Sequence, residues 1–369
     1  MCLSVFSYGQ QTIYGSIMHD GLQRDYILYV PDIYSSETAV PLILNFHGYG
    51  SNATEQMLYG NFMPIADTAG FLVVHPMGTE DVLGTTHWNV GWGSSTVDDV
   101  GFTSALIDSL ALDYNIDFDK VYSTGMSNGG FMSYTLACDL SSRIAAIASV
   151  TGSMTINQPS TCNCNHPMPI MEIHGTADAT VPYDGYYLFE PIENVLNYWV
   201  NFNHCNTDPT VTEIPDTDPN DGCTAEHYLW PNGDNGVVVE HYKIIGGGHT
   251  WPGSDYDIGV TNQDMNASIE IWKFFSKYDI NGLINTTFVE HLNGNEPEIN
   301  IYPNPSPSYV FVDNDFENPI NYQIISPLGQ VIQTGLIKSH HYKIDISENT
   351  GDYCFLRMEG RVYRLMLVE

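Results

Sequence analysis

Residues 119–130 read DKVYSTGMSNGG, and this stretch decides the fold of the chain around it. Residues 121–123 predict a buried strand and residues 131–140 predict a helix. The turn between them is a G-x-S-x-G sequence, in which the serine lies at the apex of a tight strand-to-helix connection with its hydroxyl exposed. Gly125 and Gly129 allow two backbones to pass where a Cβ would collide. Ser127 is therefore the predicted nucleophile.

Two backbone amides are the predicted donors to an oxyanion formed beside Ser127. The first is the N–H of Asn128, at the start of the helix that follows the serine. The second comes from a strand at 42–46, which runs into His47-Gly48-Tyr49-Gly50 and then a helix at 55–69. A strand leading into such a loop is where acyl-transfer enzymes of this type place the second donor. We predict that this donor is the N–H of Tyr49.

A base and a carboxylate follow two later strands. A strand at 168–174 leads into Gly175-Thr176-Ala177-Asp178, and a strand at 237–245 leads into three glycines and His249. A serine hydroxyl needs an imidazole to accept its proton, and the imidazole needs a carboxylate to orient it. The order Ser127, Asp178, His249 is the order used by α/β-hydrolases, so a mostly parallel sheet flanked by helices is expected. His47, His174 and Asp184 are the rivals that this order disfavours.

A long loop at 78–97 and the residues after His249 are the predicted walls of the substrate cleft. The loop carries Trp88 and Asn89, and Trp251 lies two residues beyond His249, where it could also belong to the core. Loops of this length are often functional. The short connection 151–167 leaves too little chain for a helical lid, which favours an open site and a bulky or polymer-borne ester.

The composition excludes several classes of partner. The 369 residues suggest about two domains, and 44 acidic against 11 basic residues give a formal net charge of −33. Nucleic acid needs clustered lysine and arginine, so it is not an expected partner. No apolar run is long enough to span a membrane. A metal at Asp98-Asp99 or calcium in the loop 216–222 is a weaker alternative to a helix cap and a turn, and no cofactor or metal is expected.

The cysteines and the N-terminus suggest an extracellular protein. Cys205 and Cys223 bracket a polar loop and are predicted to form a disulfide. A second bridge is predicted from Cys138 to Cys162 or Cys164. Residues 1–11 resemble the remnant of an export signal.

The pattern changes after the last predicted helix. Residues 12–280 form the predicted catalytic domain, 281–298 a polar linker, and 299–369 a small all-β sandwich of short alternating strands. The last domain is too short for an active site of its own, and either carbohydrate binding or export would suit it.

Several motifs in order resemble one esterase family. HGYG, WN, VDDVGF, GMSNGG, HGTAD and GGGHTWPG are similar to the family of poly(3-hydroxybutyrate) depolymerases, feruloyl esterases and acetylxylan esterases. The resemblance covers about 12–280 and implies Ser127, Asp178 and His249 as the triad. The segment beginning at 301–305, IYPNP, resembles the sorting domain of the type IX secretion system, although the chain ends in Val368-Glu369 where that pattern has a basic tail.

These observations lead to a first hypothesis of a secreted serine esterase, acting through an acyl-enzyme on feruloyl or acetyl esters of plant or algal polysaccharide. Its expected partners are that ester and, through the C-terminal domain, the type IX secretion machinery. An extracellular polyhydroxybutyrate depolymerase is the alternative within the same class. A non-catalytic carbohydrate-binding protein is the alternative of another class, and it would be indicated by a broken triad.

Overall fold

A computed structural model describes residues 10–256, 258–284, 299–302, 308–314, 319–326, 330–347, 353–358 and 361–367. The chain divides into two compact units, Met1–Ile284 and Asn285–Glu369. Most of the predicted export remnant (residues 1–9) and of the predicted linker (285–298) lies outside the described residues, as do 303–307 and the end of the chain at 368–369. Each unit is described by itself below.

The first unit alternates strands and helices. Its strands are β1 (Gln11–His19), β2 (Leu22–Val30), β3 (Val40–Phe46), β4 (Leu72–Pro76), β5 (Thr79–Glu80), β6 (Thr86–His87), β7 (Ile116–Met126), β8 (Ala146–Val150), β9 (Ile170–Gly175), β10 (Thr210–Glu213), β11 (Thr224–Trp230), β12 (Val239–Ile245), β13 (Tyr278–Asp279) and β14 (Gly282–Leu283). Its α-helices are α1 (Ala53–Gly60), α2 (Met63–Ala69), α3 (Asp99–Leu110), α4 (Asn128–Asp139), α5 (Gln158–Thr161), α6 (Ile192–Phe202) and α7 (Ala267–Phe275). Two short 3-10 helices cover Ser141–Arg143 and Asp234–Gly236.

Ten strands form one large sheet in the order β1-β2-β4-β3-β7-β8-β9-β12-β11-β10. The six central strands, β4 to β12 in that order, are parallel, and the strands at both edges are antiparallel. The central strands are apolar on both faces because helices cover both. Helices α3, α4 and α6 contribute to one buried cluster, and α2 and α7 contribute to another. The predicted α/β fold is confirmed.

The parallel arrangement positions the site. β3, β7, β9 and β12 end at Phe46, Met126, Gly175 and Ile245, and all four are parallel members of the sheet. Their carboxyl ends therefore meet at one edge, where ligands of open α/β sheets bind.

The helix predicted at 55–69 is two helices in the structure. Helix α1 ends at Gly60, and Asn61 then adopts a left-handed conformation at φ 39°. Pro64 stands in the first turn of α2, where a missing N–H costs nothing. The Gly60-Asn61 pair thus ends one helix and Pro64 begins the next, which the apolar spacing alone did not indicate.

The second unit is all-β, as predicted. Its strands are β15 (Ile299–Tyr302), β16 (Tyr309–Asn314), β17 (Ile320–Ile325), β18 (Val331–Ile337), β19 (His341–Asp345), β20 (Tyr353–Met358) and β21 (Arg361–Met366). They form sheets β15-β16-β19 and β18-β17-β20-β21, whose strand pairs are all antiparallel. Side chains from both sheets share one apolar core, as in a sandwich. Across the described parts of the chain, no helix has the length and apolar character needed to cross a membrane.

One predicted disulfide is present and one is wrong. Cys138, at the end of α4, is joined to Cys162. Cys205 and Cys223 are both buried and unlinked. The N–H of Asn206 donates to the carbonyl of Pro231 at one end of β11, whereas Cys223 precedes the other end of this seven-residue strand. Such a strand spans about 20 Å, and a disulfide needs Cα atoms within about 7 Å.

Removal of the Cys138–Cys162 bridge should destabilise the first unit. The two cysteines are 24 residues apart, and closing a loop of this length is worth about 3 kcal/mol through the unfolded chain. We expect the double variant C138S/C162S to unfold at lower denaturant concentration by that free energy. C164S is the matched control, since Cys164 is unlinked, and it should change little. A peptide map of non-reduced protein that shows a Cys205–Cys223 cross-link instead would contradict the assignment.

Candidate active site

Ser127 lies at the sharp turn between β7 and α4. Its backbone is at φ 54° and ψ −120°, a conformation that non-glycine residues rarely adopt. The helix begins at the next residue, and its first turn closes when the N–H groups of Gly130 and Phe131 donate to the Ser127 carbonyl at 2.8 and 3.0 Å. The strain lifts the serine side chain out of the sheet, as the G-x-S-x-G sequence predicts.

The two flanking glycines are needed because the end of β3 crosses directly over the turn. A Cβ placed on Gly125 would lie 2.5 Å from the carbonyl oxygen of Phe46, and one on Gly129 would overlap the same oxygen. Gly48, two residues after Phe46, also lies beside the serine, since a Cβ there would be 3.4 Å from the Ser127 Cβ. The close passage brings the loop after β3 against Ser127.

The loops after β9 and β12 are held together by backbone contacts. The N–H of Ala177 donates to the Gly247 carbonyl at 3.0 Å, and the N–H of Gly246 donates to the Thr176 hydroxyl at 2.9 Å. A Cβ on Gly175 would overlap the Gly247 carbonyl, so the two loops need glycine at their crossing. These contacts place Asp178 and His249 side by side.

His249 is hydrogen-bonded to Asp178. Its Nδ1 donates to Asp178 Oδ2 at 2.7 Å, while Asp178 Oδ1 accepts the N–H groups of Thr180 and Val181, both at 2.8 Å. Burial by itself would raise the pKa of the Asp178 carboxyl. The hydrogen bond from His249, followed by the charges of His249 and His174, instead holds that pKa below its usual value. The carboxylate fixes the tautomer that leaves Nε2 of His249 free to accept a proton.

The N–H groups of Tyr49 and Asn128, both beside the serine, have no acceptor among the described residues. Helix α4 leaves the N–H of its first residue unpaired. His47 Nδ1 donates to the Gly48 carbonyl at 2.7 Å, and His47 Nε2 accepts the N–H of Gly78 at 2.9 Å. Since N–H and C=O of a trans peptide point in opposite directions, this bond turns the Tyr49 N–H away from His47. Both amides are free to bind an anion.

Ser127 and His249 line one cleft of about 350 Å³. Its apolar walls come from Met126, α1 and the loop after His249, through Leu58, Tyr59, Tyr256 and Ile258. The rings of Tyr59 and Tyr256 lie 6.1 Å apart between centroids. These wall residues were missed from the sequence. The signal that could have found two of them is their helical spacing: Glu55, Leu58 and Tyr59 share one face of α1, directly after the donor loop.

The predicted substrate contacts of Trp88, Asn89 and Trp251 are wrong. Trp88 is buried and donates through Nε1 to the His47 carbonyl at 2.9 Å. Trp251 is buried and donates through Nε1 to Ser268 Oγ at 3.0 Å. Asn89 uses its side chain to donate to the Val97 carbonyl at 2.9 Å and lines a different cleft. The tryptophans were misplaced because their position next to catalytic motifs does not reveal which side of the loop faces the core.

The loop around Trp88 supports the serine turn from outside the cleft. Asn128 Oδ1 accepts the N–H of Trp88 at 2.7 Å, and Asp99 Oδ2 accepts the N–H of Asn89 at 2.7 Å. Asp99 also forms a buried ion pair with Arg24 at 2.6 Å. The Asp98 side chain caps α3 by accepting the N–H of Gly101. Asp98 thus caps a helix, and Asp99 forms an ion pair with Arg24.

The comparisons with known proteins agree with these features. Residues 24–181 match the family described as Esterase PHB depolymerase, and residues 300–361 match the secretion system C-terminal sorting domain. The resemblance stated from the motifs is confirmed, and with it the prediction of a protein exported from the cell or held at its surface.

Curated relatives are similar to this chain in sequence, and a solved structure is similar to it in fold. The chain is 28% identical to a bifunctional acetylxylan esterase/xylanase of Neocallimastix patriciarum over 72% of this chain and 35% of the relative. It is 28% identical to feruloyl esterase B of Piromyces equi over 61% of this chain and 42% of the relative. The chain thus spans less than half the length of these two relatives. An acetyl xylan esterase from Aspergillus awamori aligns with a TM-score of 0.50 at 15% identity, over 64% of this chain and 94% of that one, and shows the fold.

Backbone strain at Ser127 can be measured with two inactive variants. We expect Ser127→Gly to be more stable than Ser127→Ala by about 1 kcal/mol, because glycine adopts positive φ without strain and this gain exceeds its larger entropy loss. Chemical denaturation of both variants checks this. Ala105→Gly, inside α3, is the control. There glycine should be less stable than alanine, with a free energy of unfolding lower by about 1 kcal/mol. Equal stability of the two Ser127 variants would contradict strain at this turn.

Proposed function

We propose that this chain is a secreted serine esterase that hydrolyses carboxylic esters through an acyl-enzyme on Ser127. The observation that carries the proposal is the shared cleft of a strained, half-buried serine and a histidine whose other ring nitrogen is bonded to a buried carboxylate. His249 accepts the proton of Ser127 Oγ as the oxygen attacks the ester carbonyl. It then donates this proton to the leaving alcohol, and the reverse sequence with water releases the acid.

The anion formed on the carbonyl oxygen would be bound by the N–H groups of Tyr49 and Asn128. Fixed backbone donors stabilise such an anion without reorganisation, and each donor of this kind is worth about 3 kcal/mol of the barrier. Asp178 stabilises the imidazolium that forms on His249 in the same step. The fold leaves the two N–H groups without an acceptor among the described residues and fixes the Asp178 carboxylate against His249.

The proposed substrate carries an aromatic or acetyl acyl group on a polysaccharide. The cleft supports an aromatic acyl group best. Its volume of about 350 Å³ is larger than an acetyl group needs, and its walls are apolar and aromatic, formed by Tyr59, Tyr256, Leu58 and Ile258. The named relatives act on acetylxylan or feruloyl esters by their descriptions. Only the four-residue helix α5 interrupts the connection from β8 to β9, so this connection supplies no helical lid. We further propose that the C-terminal unit is recognised by the type IX secretion machinery.

Replacement of the triad residues tests the reaction type. Ser127→Ala should lower kcat/KM for 4-nitrophenyl acetate by at least about 10³-fold, and Asp178→Asn by about 10³- to 10⁴-fold, because the first removes the nucleophile and the second leaves the wrong tautomer of His249. Asp184→Asn is the matched control and should retain wild-type turnover. Substantial hydrolysis by a folded Ser127→Ala protein would exclude the mechanism, whereas the absence of hydrolysis by the unsubstituted protein would favour the non-catalytic alternative.

Replacement of a cleft tyrosine tests the substrate class. Tyr256→Ala should raise KM for methyl ferulate about tenfold, through loss of an aromatic contact worth about 1 kcal/mol or more, and should change KM for 4-nitrophenyl acetate little. Tyr187→Ala removes an exposed tyrosine that does not line this cleft and serves as the control. Wild-type rates on methyl ferulate, acetylated xylan and a polyhydroxybutyrate film should be compared in parallel. Turnover of the film alone would support the polyester alternative.

A further inference from the structure

A second buried acid–imidazole pair lies directly behind Asp178. Glu172 and His174 stand two residues apart on β9, and both side chains have no exposed surface. Their atoms Oε1 and Nδ1 are 3.0 Å apart. Two ionisable groups in a fully buried strand are costly unless they are paired and hydrogen-bonded. The mechanism described above uses neither of them.

The partners of His174 indicate that its ring carries a positive charge. Nδ1 donates to Glu172 Oε1, while Nε2 donates to the Val181 carbonyl at 2.8 Å and lies 3.4 Å from Asp178 Oδ2. A carbonyl oxygen only accepts, so Nε2 must carry a proton. With Glu172 ionised, its carboxylate also only accepts, which places a second proton on Nδ1 and makes the ring an imidazolium. Burial by itself would lower the pKa of His174, but the bond to Glu172 and the negative charges of Glu172 and Asp178 raise it.

We propose that Glu172 and His174 form a positioning pair that keeps the Asp178 carboxylate ionised and turned toward His249. Asp178 Oδ2 then lies between two imidazole rings, with His249 at 2.7 Å and His174 at 3.4 Å. Its Oδ1 is held by the N–H groups of Thr180 and Val181. Val181 thus contacts both residues of the arrangement, through its N–H to Asp178 and its carbonyl to His174.

The neighbouring elements supply hydrogen bonds to this pair. From α4, the Tyr134 hydroxyl donates to Glu172 Oε2 at 2.8 Å. From β12, His241 Nδ1 donates to the backbone carbonyl of Glu172 at 2.9 Å. Burial lowers the pKa of His241 to about 3, so this ring is neutral. Its Nε2 accepts the hydroxyl of Tyr183, whose ring lies 5.9 Å from that of His174.

Charged groups also lie near Tyr183, whose pKa is raised by burial and then by the charges of Glu193, Glu172 and Asp184. Lys243 Nζ is 5.0 Å from the centre of the Tyr183 ring, on the side of β12. Of these groups, Glu172 contacts the His174 ring: its carboxylate contacts Nδ1, and the Asp178 carboxylate lies next to Nε2. A change of charge at Glu172 or His174 should act on Asp178 first.

The proposal rests on the proposed function and predicts a pH effect. Burial of Asp178 opposes its ionisation, and His174 is one of the charges that offset this. Without that charge the pKa of Asp178 rises, and the hydrogen-bonded pair of Asp178 and His249 takes up its proton at higher pH, which removes the free Nε2 that accepts the Ser127 proton. An opposite charge this close shifts a carboxyl pKa by about one unit or more. The acidic limb of kcat/KM against pH should therefore move upward.

The experiment uses Glu172→Gln and His174→Gln in the full chain with 4-nitrophenyl acetate between pH 4.5 and 9. Active sites are counted by titration with a fluorophosphonate, so that misfolded protein does not enter kcat. In both variants the acidic limb should move up by about one pH unit, with about tenfold loss at pH 5 and less than about threefold loss at pH 8.5. His241→Gln is the matched control: it removes a buried histidine of the same cluster that does not contact Asp178, and its limb should stay in place.

Two results would overturn the proposal. The first is an acidic limb unchanged in Glu172→Gln and His174→Gln, or moved equally in His241→Gln, since a merely structural role lowers activity at every pH. The second is a neutral ring for His174 in ¹⁵N spectra of the unsubstituted protein at pH 7, a measurement that remains possible if the variants do not fold. Failure of the proposed function is distinguishable, because it would appear as turnover by Ser127→Ala at any pH.

Discussion

The carbonyl oxygen of Phe46 packs against Gly125 and Gly129, and the rest of the site depends on this contact. It lets the end of β3 cross the turn between β7 and α4, which holds Ser127 at positive φ. Any side chain at either glycine would overlap that oxygen and push the two segments apart. Because the crossing segment continues into His47-Gly48-Tyr49, one steric constraint places both the nucleophile and a free backbone donor. The strain at the serine is offset by the sheet and helix on either side.

Histidines near the strand ends differ in function because they face different atoms. His47 bonds one carbonyl and one N–H, and burial lowers its pKa to about 4. His241 bonds a carbonyl and a tyrosine hydroxyl, and burial lowers its pKa to about 3. Burial would also lower the pKa of His174, but the bond to Glu172 and the charges of Glu172 and Asp178 raise it. Buried imidazoles therefore hold loops in place or position a carboxylate, whereas His249 keeps Nε2 free as the proposed proton acceptor.

The two units are suited to separate tasks. The first has a large sheet covered by helices on both faces and carries every residue of the proposed reaction. The second has its own apolar core, drawn from both of its sheets, and matches a sorting domain. A core of its own lets such a unit fold without help from the catalytic residues. Export and the proposed ester hydrolysis can then be altered independently by substitution.

The fold class was predictable from the sequence, and so were the serine, histidine and aspartate that the proposed mechanism uses. Parallel strands bring their carboxyl ends to one edge, so residues that follow β7, β9 and β12 meet wherever they stand in the chain. Which side chains line the cleft could not be predicted, because it depends on how distant segments pack. Trp88 and Trp251 are buried against Phe46 and Phe62, which come from elsewhere in the chain, whereas Tyr59 and Tyr256 line the cleft. Cys205 and Cys223 are kept apart by the length of β11, and Glu172 meets Asp178 only through His174. Local sequence predicts where a strand ends, but burial and pairing depend on distant segments that pack against each residue.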